Sequence, residues 1–452
     1  MGTEQRCVLV VLLVIVLGCI VSAGEGWAGC ITTECHQTLG QMTLAHAPVA
    51  EGECLACHRQ QKSEHPLKGE KSFGLTADGA ALCFSCHERF PAGTTAHAPV
   101  AEGNCLSCHN PHGDLGEARL VVKDGQQALC FQCHDAAMVG EQFVHGPAGA
   151  GACSQCHNPH GADQPALLRQ ESRQLCLSCH QELAAGERQA AVLHQPFAKK
   201  PCTACHGAHG AANPGLLTEK YPDLCFTCHR QVGKIYQQAR VKHTALYKDD
   251  RCGNCHAAHF SKVSGLLQER EQDLCLRCHG VDDTKRSKPL KNIAKELQDK
   301  KVLHGPVADG RCAACHQPHG SDYFRLLSAA YPESFYAPYR DSDYDFCLSC
   351  HEKNLLRFAD TTIYTSFRNG KQNLHYLHVA NRRKGRTCRA CHQAHASNGE
   401  KLINQEGAAF GDWRIPLRLA LTPTGGSCAP GCHSRKAYDR QQPVDYGSKE
   451  VQ

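Results

Sequence analysis

The stretch HGPAGAGACSQCHNPHGADQPALLRQESRQLCLSCH, residues 145–180, decides how this chain is read. It opens on His145, reaches Cys153-Ser-Gln-Cys156-His157 eight positions on, and places a further histidine, His160, three residues after His157. Leu167-Leu168 follows seven positions after His160, and Leu175 leads into a second motif at Cys176, Cys179 and His180. The pattern returns 49 residues later from His194, with His209, Leu216 and Cys225, and again from His243, with His259, Leu266 and Cys275. A segment repeated this regularly is a structural module.

Working outward, Cys-x-x-Cys occurs thirteen times in the 452 residues, and His follows every time. The motifs are Cys54/Cys57/His58, Cys83/Cys86/His87, Cys105/Cys108/His109, Cys130/Cys133/His134, Cys153/Cys156/His157, Cys176/Cys179/His180, Cys202/Cys205/His206, Cys225/Cys228/His229, Cys252/Cys255/His256, Cys275/Cys278/His279, Cys312/Cys315/His316, Cys347/Cys350/His351 and Cys388/Cys391/His392. Two looser variants bracket them: Cys30/Cys35/His36, with four intervening residues, and Cys428/Cys432/His433, with three. Together they use thirty of the 32 cysteines; Cys7 and Cys19 lie in an apolar N-terminal run, so no thiol is left for disulfides. With only 14 Phe, 12 Tyr and 2 Trp, and aliphatic residues confined to short clusters between Cys and His, a conventional globular enzyme core is excluded.

Cys-x-x-Cys-His is the attachment signature of c-type haem. Two thiols reach the two vinyl groups on one porphyrin edge, and the adjacent His swings under the ring to the iron. A zinc site would gather four ligands from two knuckles and gives no reason for His after each pair. Histidine counting supplies an independent test. Fifteen of the 30 His are proximal within motifs, which leaves His46, His65, His97, His112, His145, His160, His194, His209, His243, His259, His304, His319, His375, His378 and His395 as fifteen candidate distal ligands for fifteen irons. Met is the other common distal ligand, but beyond the initiator only Met42 and Met138 exist.

The repeat divides the chain into a signal segment (1–23), an N-terminal haem segment (24–45) and seven dihaem modules: 46–96, 97–144, 145–193, 194–242, 243–303, 304–374 with an aromatic insertion, and 375–452 with the tail. The first module carries Glu64-His65 in place of a His three residues after its motif. Two imidazoles three residues apart, such as His157 and His160, lie on one side of a turn and cannot sandwich one flat porphyrin. The second His of each module therefore serves a neighbouring haem, and the leading His reaches across as well. Asn-Pro-His-Gly, Gly-Pro and Ala-Pro punctuate the motifs. The expected fold is haem-packed, with short α-helices on the Leu-Cys-x-x-Cys-His segments, irregular coil, little or no β-sheet, and the haems in an elongated chain.

Three segments break the repeat. Leu290, Ile293, Ala294 and Leu297 recur at helical spacing in a Lys-rich run between His279 and His304, which predicts an amphipathic surface helix that is a solvated connector or a docking element. Tyr323, Phe324, Tyr331, Phe335, Tyr336, Tyr339, Tyr344 and Phe346 cluster between His319 and Cys347, as packing over haems or as a binding surface. Thirty-two residues, including Trp413, separate His395 from Cys428. At the N-terminus, Val8 to Ile20 has signal-peptide length and Val21-Ser22-Ala23 suits cleavage before Gly24. Val16-Leu17-Gly18-Cys19 is also readable as a lipoprotein box, with Cys19 as a lipid anchor. Either reading exports the chain. Two propionates on each of fifteen haems contribute −30 and the ferric irons +15, so the formal +5 becomes −10, and the support for nucleic-acid binding disappears.

From His46 to His395 the chain resembles the multihaem cytochromes c with a doubled Cys-x-x-Cys-His motif, a family of periplasmic and outer-surface electron carriers of metal- and sulfur-respiring bacteria. The resemblance implies bis-His, low-spin, closely spaced haems c passing electrons along the polypeptide to redox partner proteins or an extracellular acceptor. Three settings are compatible: a free periplasmic wire, a subunit threaded into an outer-membrane porin, and a protomer of an extracellular filament. The alternative function is a multihaem reductase of a small nitrogen or sulfur oxyanion. That would need one iron with an open distal position, to be sought beside His375 and His378.

Overall fold

The computed structural model describes residues 29–32, 34–90, 94–113, 120–122, 124–248, 251–287 and 289–447. The N-terminal apolar run expected to be a signal segment, with Cys7 and Cys19, lies outside them. The chain forms two compact bodies, Met1–Leu175 with Ala208–Gly210, and Cys176–Gly207 with Ala211–Gln452. No helix among the described residues is long and apolar enough to cross a membrane.

Coil and short helices dominate. Each leading His sits in extended backbone just before a helical turn, as at Ala47–Ala50, Ala98–Ala101, Gly146–Gly149, Gln195–Lys199 and Gly305–Ala308. Proline occupies the first or second position of each turn, where its fixed φ favours the helix and its missing N–H costs nothing. The first motif of a module then starts in a single 3₁₀ turn, such as Cys153–Gln155 or Cys202–Ala204. The second starts within or just after an α-helix, such as Gly125–Cys130, Ser172–Cys179 or Glu271–His279, as the Leu-Cys segments predict.

The expectation of little or no sheet needs correction, because small antiparallel ladders recur throughout. Thr95–Ala96 pairs with Gly161–Ala162, Val192–Leu193 with Phe260–Ser261, and Val302–Leu303 with Ala396–Ser397. In each, the residues just before a leading His pair with those just after the second His of the next module. Two-residue strands leave no period-2 pattern to detect. The ladder also explains the Gly of Asn-Pro-His-Gly: Gly161 has φ 155°, and a Cβ there would lie 2.9 Å from the Thr95 carbonyl oxygen. At the C-terminus a hairpin (Ala408–Phe410, Trp413–Ile415) precedes a three-stranded sheet of Ala420–Leu421, Gly425–Cys428 and Lys436–Asp439.

The polypeptide buries little of itself. Its accessible surface is 31706 Å², against about 17,000 Å² for a compact globular chain of this mass. Thirteen hydrophobic residues are buried among the described ones, all in the second body. The one hydrophobic cluster described gathers Leu327, Tyr331, Tyr344, Leu356 and Val379, with Phe324, Tyr339 and Phe346 packed against it. The aromatic insertion is thus chiefly an internal protein core, with Tyr344 wholly buried; aromatic edges and aliphatic chains at this density satisfy one another.

Candidate functional site

Imidazoles face one another in pairs throughout both bodies. In the first body the pairs are His36 with His65, His46 with His87, His58 with His112, His97 with His134, His109 with His160, and His157 with His209. In the second they are His194 with His229, His206 with His259, His243 with His279, His256 with His319, His304 with His351, His316 with His395, and His375 with His392. Each pair joins one motif histidine to one histidine outside the motifs. Ring centres are 5.8 Å apart in the closest pairs and 6.5 Å in the widest, with planes between 3° and 41°. His378 is in electrostatic contact with His433.

That spacing has a direct meaning. A metal–imidazole bond is about 2 Å, and nitrogen lies about 1.1 Å from the centre of a five-membered ring with bonds near 1.35 Å. Two imidazoles on opposite sides of one iron therefore have centres about 6.2 Å apart. Rings stacked in contact are closer, as Tyr236 and Tyr247 are at 4.5 Å. The pairs fit a bis-His iron. A clustered metal site is a different arrangement, and no three His, Cys, Asp or Glu converge on one point among the described residues.

The pairing follows a rule that the last module breaks. A leading His faces the second motif of its own module, as His97 faces His134, whereas His375 faces His392 of its module's first motif. The second His faces the first motif of the preceding module, as His160 faces His109. His65, seven residues after His58 rather than three, still reaches back to the first motif in the chain through His36.

Backbone carbonyls set the tautomers. The leading imidazoles His46, His97, His145, His194, His243 and His304 direct Nδ1 at the carbonyls of Pro111, Pro159, Ala208, Ala258, Pro318 and Ala394, at 2.8–3.1 Å. Each acceptor is the residue just before the next module's second His. A proton held on Nδ1 leaves the Nε2 lone pair for a metal. Burial pushes the pKa of many of these imidazoles below the ordinary value, including His112, His194, His243, His259, His316 and His378, and takes His375 to about 4. The neutral form that binds metals is thereby favoured.

The proximal imidazoles are held by a device that the sequence pattern does not announce. Nδ1 of His157, His206, His256, His316 and His392 meets the carbonyl nine residues on, at Ala166, Gly215, Gly265, Arg325 and Lys401, at 2.8–2.9 Å. Those five residues, and the Leu after each, lie at positive φ: 56° and 55° at Ala166-Leu167, 54° and 58° at Lys401-Leu402. The Leu-Leu signature marks a turn that aims a carbonyl at the ligand, in addition to any packing by its side chains. A left-handed non-glycine residue costs about 1–2 kcal/mol, less the roughly 0.5–1 kcal/mol entropy penalty of Gly. Ala166→Gly and Lys401→Gly should therefore each raise the unfolding free energy by about 0.5–1 kcal/mol, whereas Gly265→Val should lower it; chemical denaturation of the holoprotein measures both, and the opposite signs would refute this account of the turn.

Three histidines have side-chain acceptors or donors instead. His65 Nδ1 meets Ser72 Oγ at 2.5 Å, His375 Nδ1 meets Thr365 Oγ1 at 2.9 Å, and His395 Nδ1 lies 3.2 Å from Glu296 Oε2. Burial alone would raise the Glu296 carboxyl, but hydrogen bonds from His395 and Lys291 outweigh it and take it down to about 2. The variant motifs are accommodated locally. Thr32 Oγ1 accepts from the backbone N–H groups of Glu34 and Cys35 inside the four-residue spacer, and Tyr336 Oη lies 3.9 Å from Cys432 Sγ.

None of the thirty motif cysteines is paired in a disulfide, and sulfurs of consecutive motifs approach one another. The first cysteines hydrogen-bond across a module boundary in Cys30–Cys54, Cys83–Cys105 and Cys130–Cys153 of the first body, and in Cys225–Cys252, Cys275–Cys312 and Cys347–Cys388 of the second. Within modules, the second cysteines are in electrostatic reach in Cys108–Cys133, Cys255–Cys278 and Cys315–Cys350, as are Cys391 and Cys432.

Cys57 and Cys205 are in electrostatic reach of the first cysteine of their module's second motif, Cys83 and Cys225, as Cys108, Cys255 and Cys315 are of Cys130, Cys275 and Cys347. The second cysteines Cys86, Cys179, Cys228 and Cys350 are exposed, and each sulfur accepts from the hydroxyl of the residue before it, Ser85, Ser178, Thr227 and Ser349, at 3.8–3.9 Å.

Comparison with known proteins agrees with this geometry. The family described as "Doubled CXXCH motif" matches residues 46–92, 97–139, 145–185, 194–234, 243–284 and 304–355, six doubled motifs that cover more than half of the chain. The multiheme cytochrome MtrA of Shewanella baltica (strain OS185) is 30% identical over 156 residues, 33% of this chain and 44% of that protein. The chain thus matches less than half the length of that relative.

Proposed function

The chain belongs to the doubled-CXXCH family of multihaem c-type cytochromes, and from that premise we propose that it is an exported fifteen-haem electron conduit. The six matched doubled motifs account for about twelve haem c groups. The first motif, at Cys30, and the last two, at Cys388 and Cys428, bring the number to fifteen. The observation that carries this reading is the imidazole pairing: His36 faces His65 at 6.0 Å and His375 faces His392 at 6.5 Å, beside 5.8–6.2 Å for the pairs inside the matched segments. When bound, each haem supplies one-electron Fe(III)/Fe(II) chemistry at a potential set by its axial ligands and surroundings.

The polypeptide's part is positional. Proximal and distal imidazoles would supply two neutral nitrogens per iron, the carbonyl acceptors hold their protons on Nδ1, and within each body the motif cysteines that lie near one another would attach neighbouring haems. Cys57, Cys86, Cys205 and Cys228 take their thioether role from the motif and from the facing imidazoles of His58, His87, His206 and His229. Porphyrin faces would supply the apolar core that the side chains lack. A reductase reading requires an open distal position. His375, one of the two histidines to inspect for it, faces His392, and His378 lies within electrostatic reach of His433, which favours the conduit.

Haem quantitation by pyridine haemochrome against chain concentration tests the proposal. Fifteen per chain is expected; thirteen would mean that the variant motifs are empty, and twelve would confine haem to the matched modules.

A further inference from the structure

The interval from a second-motif histidine to the next leading histidine is 14 residues in His180–His194 and His229–His243, but 25 in His279–His304. The additional residues are tightly organised. Asp283 Oδ2 accepts the N–H of Leu290, Asp282 receives Asn292 Nδ2 and Lys295 Nζ, and Asn292 caps the helix Ile293–Leu297 by accepting the N–H of Lys295. The helix lies along the end of Glu271–His279, where a Cβ on Gly280 would meet Ala294 at 3.3 Å. This segment is the predicted amphipathic helix, and what it delivers is Glu296.

Glu296 is 11% exposed, and its Oε2 lies 3.2 Å from His395 Nδ1 and 2.8 Å from Lys291 Nζ. The equivalent second-position imidazoles His112, His160, His209, His259 and His319 have no carboxylate at Nδ1 among the described residues, and the leading and proximal imidazoles described above use neutral carbonyl oxygens. A carboxylate accepting Nδ1–H draws that proton away and makes the opposite nitrogen a stronger donor. A stronger donor favours Fe(III) over Fe(II).

We infer that Glu296 is a positioning and potential-setting residue that, through His395, makes the haem of Cys312, Cys315 and His316 more reducing than it would be with a neutral acceptor. The inference rests on reading His316 and His395 as an axial pair. Lys291, on the same oxygen, offsets part of the carboxylate's charge and so moderates the effect. The insertion thereby places one low-potential step at a defined point of the conduit.

The test is spectroelectrochemical titration of the holoprotein and of two variants. Glu296→Gln should move one-fifteenth of the haem absorbance to higher potential, while Lys291→Met should move one-fifteenth to lower potential; a merely structural role would not produce opposite shifts. If neither variant shifts any component while His395→Met converts one haem to His/Met ligation by near-infrared magnetic circular dichroism, the inference fails and the axial assignment stands. If His395→Met leaves ligation unchanged, the axial assignment itself fails.

Discussion

Made without haem, for example in the cytoplasm from a gene lacking residues 1–23, the chain should not fold. Its surface is nearly twice that of a compact protein of its mass, and the first body has no buried hydrophobic side chain among the described residues. Ordering a residue costs about 1–2 kcal/mol of backbone entropy, which is offset chiefly by apolar burial, and here the apolar partner has to be porphyrin. Far-ultraviolet circular dichroism of the haem-free chain should show an unfolded spectrum with no cooperative thermal transition. A cooperative transition would mean that the polypeptide carries its own core. In the holoprotein, hydrogen exchange should be slowest around Leu327, Tyr331, Tyr344, Leu356 and Val379, where side chains pack on each other.

The second large effect concerns a single imidazole. His375 faces His392 with ring centres 6.5 Å apart, is fixed by Thr365 Oγ1 at 2.9 Å, and is pushed by burial to a pKa of about 4. No thioether links it to porphyrin, so His375→Gly should leave the haem attached and open one coordination position. Electron paramagnetic resonance of the oxidised variant should show one high-spin ferric haem per chain where the parent has none, and added imidazole should return it to low spin. A variant that stays wholly low-spin without imidazole would remove His375 from the ligand set.

Much of this was legible in the sequence, because thioether attachment imposes a covalent spacing. The motifs, the dihaem module, the equal numbers of motif and other histidines, and the short helices on Leu-Cys all follow from local chemistry. His157 and His160, which the sequence assigns to different irons, face different histidines, His209 and His109. Partner identity was not legible, because the offset from His97 to His134 or from His109 to His160 is bridged by turns with no periodicity. The carbonyl-aiming turn was hidden for a related reason. Ala166, Arg325 and Lys401 share a backbone conformation and no side-chain chemistry, and only the glycines at 215 and 265, one residue before a fixed Leu, hinted at positive φ. The sequence places the aromatic insertion over haem or at a partner surface; its rings pack on one another beside the motif cysteines Cys347 and Cys388. Glu296 could be placed on a helix from its spacing, but its contact with His395, 99 residues away, depends on tertiary structure.

The central claim is that fifteen irons per chain each sit between two histidines. Near-infrared magnetic circular dichroism of the fully oxidised holoprotein, calibrated per chain, measures this directly because His/His, His/Met and high-spin ferric haems absorb in different bands. The account predicts His/His intensity equal to fifteen haems and nothing in the other bands. A high-spin or His/Met band of even one haem would contradict it.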